Sequence, residues 1–566
     1  MDDLPDALNR LAARLETLER RVEALEHPSA ASIAAPSLAA APSQTAEIVD
    51  TLPIAVAGGA FQVLGRAMLG IAGAYLLRAV AESTSLPKIG VAAIAIAYAM
   101  FWLVTATRAP VGAWFASATY ACTSALILAP MLWELTLRFN VLPAAATAGV
   151  LGAFLCAATA LGWKRNAASV FWVANVTAAT AAVALSIATH EVLPFIAALL
   201  CMVLISEYAT EHDRGPGIRY LAAAAADVVV WALIFIYSSP QATRANYPLL
   251  GTASLLAPGC ILFAIYGVSV AVKTVLLRQK ITAFDTVQTV IAFLLAAAGL
   301  LYFKPSGGAA WLGFVCLVLS VASYTAVFAF FGQSSDLRNY RVFSAWSAAL
   351  LLAGCVLCLP PLGMAVCLGL AAVQAAFLGV RLSRPALEFH SLVYLLAAAI
   401  GSGLWEYCFS AFAGTLPGAP SLSVWLVSIC AILCYAVEKT RPDKRWTGQV
   451  FPLVTATLAV ASMAALLVEG LMGVLGQMAS SGSLGPHHLA FIRTLTICAA
   501  ALALAFSGAH WRRVELTRIG YAALALVAAK LVFEDLRLGH LEFIAASIFL
   551  FAVTLIAVPR IARLGH

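Results

Sequence analysis

The sequence predicts an all-α protein, a polytopic integral membrane helix bundle of about 18 transmembrane helices with an N-terminal coiled coil. Three observations predict it. The 566 residues are 62% hydrophobic and 11% charged, with a mean hydropathy of +0.93, whereas a soluble chain is about half apolar and about a quarter charged. Apolar runs follow one another from Phe61 to the end of the chain. The first residues instead carry a heptad pattern.

That pattern lies in "LNRLAARLETLERRVEALEH". Leu4, Leu8, Leu11, Leu15, Leu18, Val22 and Leu25 alternate in steps of four and three, the a/d seam of a coiled coil. With Leu8 at position a, Arg14 and Arg21 fall at g, and Glu19 and Glu26 fall at e. In a parallel pair each g residue faces the e residue five positions later on the partner, so both contacts join opposite charges. Residues 1–27 are therefore expected to form a cytoplasmic coiled coil that makes a parallel homo-oligomer through residues 4–26. The competing reading is an amphipathic helix lying on a surface. Residues 28–50 are rich in Ala, Ser and Pro without apolar period. They are expected to be a flexible linker with a reach of roughly 25 Å. The acidic start, with no apolar run before Leu52, predicts no cleavable signal peptide.

Residues 51–566 are expected to be the transmembrane domain. Eighteen apolar runs succeed one another there, each long enough to cross a hydrocarbon core of about 30 Å. Charge tests the count. With the N-terminus in the cytoplasm, the even-numbered connections and the C-terminus should be positive. They hold 21 of the 34 Lys and Arg residues, while the odd connections hold Lys88, Arg138, Arg244, Lys304 and Arg537. A miscount by one helix would scramble this bias. The reading places a multi-pass protein in a membrane with both ends in the cytoplasm.

The net charge of +7 sits in short connections rather than in a basic stripe, which argues against nucleic acid and for the lipid bilayer as the partner. The 12 cysteines lie in or beside apolar runs, against a disulfide framework or a zinc site. Cys355 and Cys358 have redox spacing but end an apolar helix, and are expected to be buried hydrophobes. Trp133, Trp163, Trp446 and Trp511 stand at run edges as an aromatic belt. No phosphate-binding loop, zinc-protease motif, nucleophile elbow or dinucleotide fingerprint is present. No catalytic residue, metal ligand or cofactor is assigned.

Ionisable residues inside the runs are the candidate site. Each costs about 2.5–3.5 kcal/mol at mid-helix. "VAAKLVFEDLRLGHLEF" (Val527–Phe543) places Lys530, Glu534 and Asp535 within six residues. Lys530 and Glu534 share a helix face, and the plain reading is an anchored helix end with a local ion pair. The sharper reading adds Arg78, Glu134, Glu406, Glu469 and Arg493 near the outer helix ends, with His190, Glu191, His487, His488, His540 and Glu542 just beyond. Together they would form a charged pocket open to the outside. Asp227 stands alone near the middle of "YLAAAAADVVVWALIFIY". It is expected to be a proton or cation ligand, or a protonated acid bonded to Asn175 or Gln374. Glu207, Glu438 and Lys273 fall at inner helix ends and read as interface residues.

Two stretches resemble a family of bacterial membrane proteins called domain of unknown function 2339: Gly65–Pro87, "GRAMLGIAGAYLLRAVAESTSLP", and Arg518–Leu536, "RIGYAALALVAAKLVFEDL". Arg518, Gly520, Lys530 and Asp535 sit on the second pattern, while Glu542 stands where that family tends to carry Arg. The resemblance implies a coiled coil, an Ala/Pro-rich linker and a long array of membrane helices, and it brings no activity. Three functions fit the residues: a transporter or flippase of an envelope component, a membrane scaffold acting through its coiled coil, or a membrane-embedded enzyme on lipid or glycan. The enzyme ranks last, because no connection exceeds roughly a dozen residues.

Overall fold

The computed structural model describes residues 47–83, 88–110, 113–212, 217–240, 245–331, 337–413, 418–437, 447–478, 485–537 and 540–564. The heptad seam, Leu8, Leu11, Leu15, Leu18, Val22 and Leu25, lies outside them. Contacts divide the chain into residues 1–69 and residues 70–566. In the first unit the described part is helical from Glu47, within the segment expected to be linker. The site lies in the second unit.

Among the described residues the chain is entirely helical. In order, the helices are α1 Glu47–Ser83, α2 Lys88–Thr107, α3 Trp114–Trp133, α4 Ala144–Arg165, α5 Ala168–Ala188, α6 Val192–Glu211, α7 Ile218–Ser238, α8 Thr252–Ala271, α9 Ala283–Phe303 and α10 Gly308–Ala326. They continue as α11 Leu337–Cys358, α12 Pro361–Leu382, α13 Pro385–Gly401, α14 Leu404–Ala413, α15 Leu422–Val437, α16 Thr447–Met478, α17 Pro486–His510, α18 Val514–Phe533 and α19 Leu541–Leu564. Sixteen helices are long and apolar enough to cross a membrane. The two remaining expected spans take other forms. One is a broken helix, α13 and α14, bent by 66°. The other is α15, an apolar helix of 16 residues.

The break has a local cause. Gly403 adopts φ +77°, a left-handed conformation that an L side chain enters only with strain. The Ser402 hydroxyl accepts from the Leu404 amide at 3.4 Å, and the Ser402 carbonyl accepts from Ser423 Oγ of α15 at 3.3 Å. Backbone groups freed by the kink are thus taken up within the bundle, as helix breaks at membrane depth require. Three other helices end in a wider π turn: α3 at Glu134–Arg138, α8 at Val272–Leu276 and α10 at Val327–Phe331.

Packing follows chain order. Helices α2 to α9 pack on one another, α10 bridges α9 and α11, and α11 to α19 form a second set. Close approach uses small residues, as is usual between membrane helices. At the α10–α11 crossing, a Cβ added to Gly354 would come within 2.7 Å of Leu317 Cγ and 3.0 Å of the Gly313 carbonyl. Large apolar side chains such as Phe101, Trp231, Phe235 and Phe549 point outward, fully or half exposed, which suits a lipid solvent. All 12 cysteines are free, and Cys355 Sγ lies 3.4 Å from Cys367 Sγ.

Candidate functional site

The ionisable residues gather in two places. The first lies where α14, α17, α18 and the start of α19 meet. Arg493, on α17, is 3% exposed, and Lys530 and Asp535 are 8% and 4% exposed. Lys530 Nζ donates to Asp535 Oδ1 at 2.7 Å, to Thr494 Oγ1 at 2.9 Å and to the Ala490 carbonyl at 2.7 Å. Those three bonds use every donor of an ammonium group, and Glu534 Oε2 lies 3.3 Å away as a further counter-charge. Thr494 Oγ1 also donates to Asp535 Oδ2 at 2.9 Å. Asp535 follows the C-terminus of α18 in a single 3₁₀ turn, which swings its carboxylate back onto Lys530.

Arg493 ties this group to the broken helix. Its Nη1 pairs with Glu534 Oε1 at 2.7 Å. Its Nε and Nη2 donate to the carbonyls of Ala411 and Ser410 at 2.6 and 3.0 Å. Those carbonyls belong to the last turn of α14, where a helix leaves four acceptors without intrahelical donors and carries its negative dipole end. A buried guanidinium here caps one helix, pairs with the end of a second and is anchored on a third. Against Asp535, the rings of His487, His540 and Phe543 crowd together, with centroids 4.1 Å apart for the two histidines and 5.0 Å for His487 and Phe543. They line a cleft with Ala490, Phe491 and Ser547.

The other expected members of an outer pocket stand apart. Arg78 pairs with Glu134 at 2.8 Å, between α1 and the π turn ending α3. His190 stacks on Tyr247 at 5.0 Å. Glu191, Glu406 and Glu542 are exposed and Glu469 is half-buried. The side chains that converge are Arg493, Lys530, Glu534 and Asp535. The broad pocket expected from helix-end position alone is therefore a compact four-residue ion network, because position along a helix does not specify which face a side chain leaves from.

The second gathering lies in α6–α9. Glu207 at the end of α6, Arg219 at the start of α7, Lys273 in the π turn of α8 and Asp285 in the first turn of α9 are all buried. Lys273 Nζ lies 2.6 Å from Glu207 Oε2 and 3.6 Å from Asp285 Oδ1. Arg219 Nη1 lies 3.2 Å from Asp285 Oδ1, and its plane covers the Phe284 ring at 4.4 Å. Ser269 Oγ donates to Glu207 Oε2 at 2.7 Å. Asp285 is fixed by a capping box: Oδ2 accepts from the Thr282 amide at 2.9 Å while its own amide donates to Thr282 Oγ1 at 3.2 Å. That box leaves Oδ1 for the two cations. Two positive and two negative groups balance, which is the condition for burying them.

Deeper in the same helices lie Tyr266, Gln288 and Asp227. Gln288 Nε2 donates to both Asp227 oxygens at 2.9 Å. Gln288, not Asn175 or Gln374, is therefore the partner of Asp227. Asn175 is turned to the Phe171 carbonyl of its own helix, and Gln374 is exposed on α12. Asp227 is half-buried and joins no ion pair among the described residues. Two buried atoms in this region have no hydrogen-bond partner among the described residues, Glu207 Oε1 and the Tyr266 hydroxyl. Glu207 and Lys273 are thus a buried ion pair rather than interface residues. Arg219 and Asp285 had no signal of their own in the sequence. Arg219 looks like a topology anchor and Asp285 like an ordinary cap.

No family model, no curated protein and no solved structure matches the chain. Among the described residues, no group of three His, Cys, Asp or Glu side chains is arranged to hold a metal ion. A third polar cluster joins Tyr324, His390 and Tyr394, with the Tyr324 hydroxyl bonded to Tyr394 and 3.1 Å from His390 Nδ1. His390 and Tyr394 of this cluster are buried and Tyr324 is half-buried.

Proposed function

We propose that the chain is a transporter or flippase for a component of the bacterial envelope, with the α6–α9 column around Asp227 as its working site. One observation carries this reading. Glu207, Arg219, Asp227, Lys273 and Asp285 gather among four consecutive apolar helices, and one of them, Asp227, is held at mid-helix by an amide alone. A carboxyl kept at membrane depth with no counter-ion is costly, and such groups mark substrate and ion paths. The π turn that carries Lys273 is a helix irregularity of the kind that recurs at functional sites. The break between α13 and α14 adds a discontinuous helix, the device from which many transporters build their sites.

The same proposal takes eighteen crossings, with α13–α14 and α15 counted as one each, and both termini in the cytoplasm, on the bias of Lys and Arg between connections. It also takes membership of the family resembled at Arg518–Leu536. The second reading is a scaffold working through an oligomeric coiled coil, favoured by the a/d seam of residues 4–26.

The two separate in a host whose own copy is deleted. Transport predicts that Asp227→Asn fails to restore the wild-type phenotype although the protein is present in the membrane at normal level, and that a chain lacking residues 1–27 restores it. Full restoration by Asp227→Asn overturns the transport reading. Loss confined to the truncated chain establishes the scaffold.

A further inference from the structure

The polar side chains of α6–α9 form a ladder rather than a ball. Lys273, Glu207, Arg219 and Asp285 make the bottom rung. Tyr266 precedes Ser269 by three residues on α8, and Gln288 follows Asp285 by three on α9. Each is therefore about one turn, roughly 5 Å, further in on the same face. Asp227 follows Arg219 by eight residues on α7, about 12 Å along the axis. Ser269, one turn from Tyr266, donates to Glu207 Oε2 at 2.7 Å, and Gln288, one turn from Asp285, donates to Asp227 at 2.9 Å. The Tyr266 hydroxyl is buried, as is Glu207 Oε1, and each of these atoms lacks a partner among the described residues. Among the described residues the column thus holds one donor without an acceptor and one acceptor without a donor. Burying an unmet polar group is unfavourable, so stability alone does not account for a tyrosine rather than a phenylalanine at 266.

We infer that Asp227, Tyr266 and Glu207 form a proton relay between the middle of α7 and the end of the bundle that carries Lys273. The inference rests on the transport reading and names its coupling ion as H⁺. In one step, the O–H bond of a protonated Asp227 breaks and its proton bonds to the Tyr266 oxygen. The original Tyr266 proton passes to Glu207 Oε1, directly or through one water molecule at each gap. Tyr266 is neutral before and after, and Asp227 is left as a carboxylate on Gln288. Glu207 gains the proton while Lys273 loses a full counter-charge and turns toward Asp285, which already lies 3.6 Å away. The charged and titratable groups facing the relay are Glu207 from α6, Arg219 from α7, Lys273 from α8 and Asp285 from α9. Helix α5, which also packs on α7, contains no titratable residue.

The test is time-resolved infrared spectroscopy on the full chain in lipid nanodiscs after a pH jump. The carboxyl band is assigned to Asp227 by its loss in Asp227→Asn. Wild type is expected to show the band rise with acid. Tyr266→Phe, which removes only an unpartnered hydroxyl, is expected to reach the same end point at least tenfold more slowly, and Glu207→Gln is expected to slow it likewise. An unchanged rate in both variants overturns the relay, as does the absence of any band that depends on Asp227. The two readings fail separately. A Tyr266-independent rate removes the relay and leaves transport standing, whereas full complementation by Asp227→Asn removes transport whatever the infrared rate.

Discussion

The two buried charge networks use the same residue types to opposite ends. Around Lys530 every charged group is engaged: the ammonium makes three bonds, each of the three Arg493 nitrogens donates one, and both Asp535 oxygens accept. Around Lys273 the charges also balance, but two polar atoms remain unmet and Asp227 has no cation. A saturated network holds one arrangement, because any movement breaks several bonds in a low dielectric. An unsaturated one has a second arrangement within reach. The difference teaches that buried charge by itself does not mark the working site. An unmet bond within a charge network distinguishes the two. By this criterion the Lys530 network is a clasp joining α14, α17, α18 and α19, and the Lys273 column is the part proposed to change state.

The largest expected effect breaks the clasp. Arg493→Ala would leave Glu534 without its guanidinium and free the Ser410 and Ala411 carbonyls. Removing one member of a buried ion pair costs about 3–5 kcal/mol. Unfolding in nanodiscs, read as the midpoint shift against wild type, is expected to show a loss of that size. A loss below 1 kcal/mol would mean that the clasp is solvated and that the contrast between the two networks fails.

The next effect lies in the column. Gln288→Leu removes both bonds to Asp227, and hydrogen bonds to a charged group contribute about 1.5–3 kcal/mol. Part of this is recovered when Asp227 takes up a proton, so the loss should shrink as pH falls. The sign follows from linkage. Without its amide donor the carboxylate form is destabilised in the folded state alone, and stability rises as pH falls wherever the folded chain binds more protons than the unfolded one. The same unfolding assay at two pH values checks it. A loss that grows toward acid would place Asp227 outside the titrating column.

Much of this fold is legible in the sequence, and the two networks show where legibility stops. Run length and hydropathy locate the sixteen long apolar helices, because a membrane span is a property of about twenty consecutive residues. The break in α13–α14 escapes, since two glycines and a serine at 401–403 barely lower the average hydropathy of the run. Lys530 and Glu534 can be paired from their spacing on one helix. Arg493 cannot be joined to Ser410 and Ala411, because 82 residues and a helix end intervene. Arg219 and Lys273 are hidden more thoroughly. They stand where cations are expected on the cytoplasmic side, so the topological rule that counts them also explains them away. Their partners Asp285 and Glu207 lie 66 residues off, and only packing brings them together.

The smallest expected change is the most discriminating. Tyr266→Phe removes one oxygen from the interior, and on the usual scale a buried side chain that loses a polar group costs stability. Here the sign should be reversed or the effect nil, because the hydroxyl has no partner among the described residues and its burial is already unfavourable. Phenylalanine keeps the ring, the volume and the contacts of α8 with α9. Unfolding of Tyr266→Phe is therefore expected to fall within about 0.5 kcal/mol of wild type or slightly above it. A loss above 1 kcal/mol would mean that the hydroxyl is bonded in the resting protein, and the column would then be a second clasp. With stability unchanged, any slowing of proton uptake at Asp227 belongs to the hydroxyl itself and not to a loosened bundle.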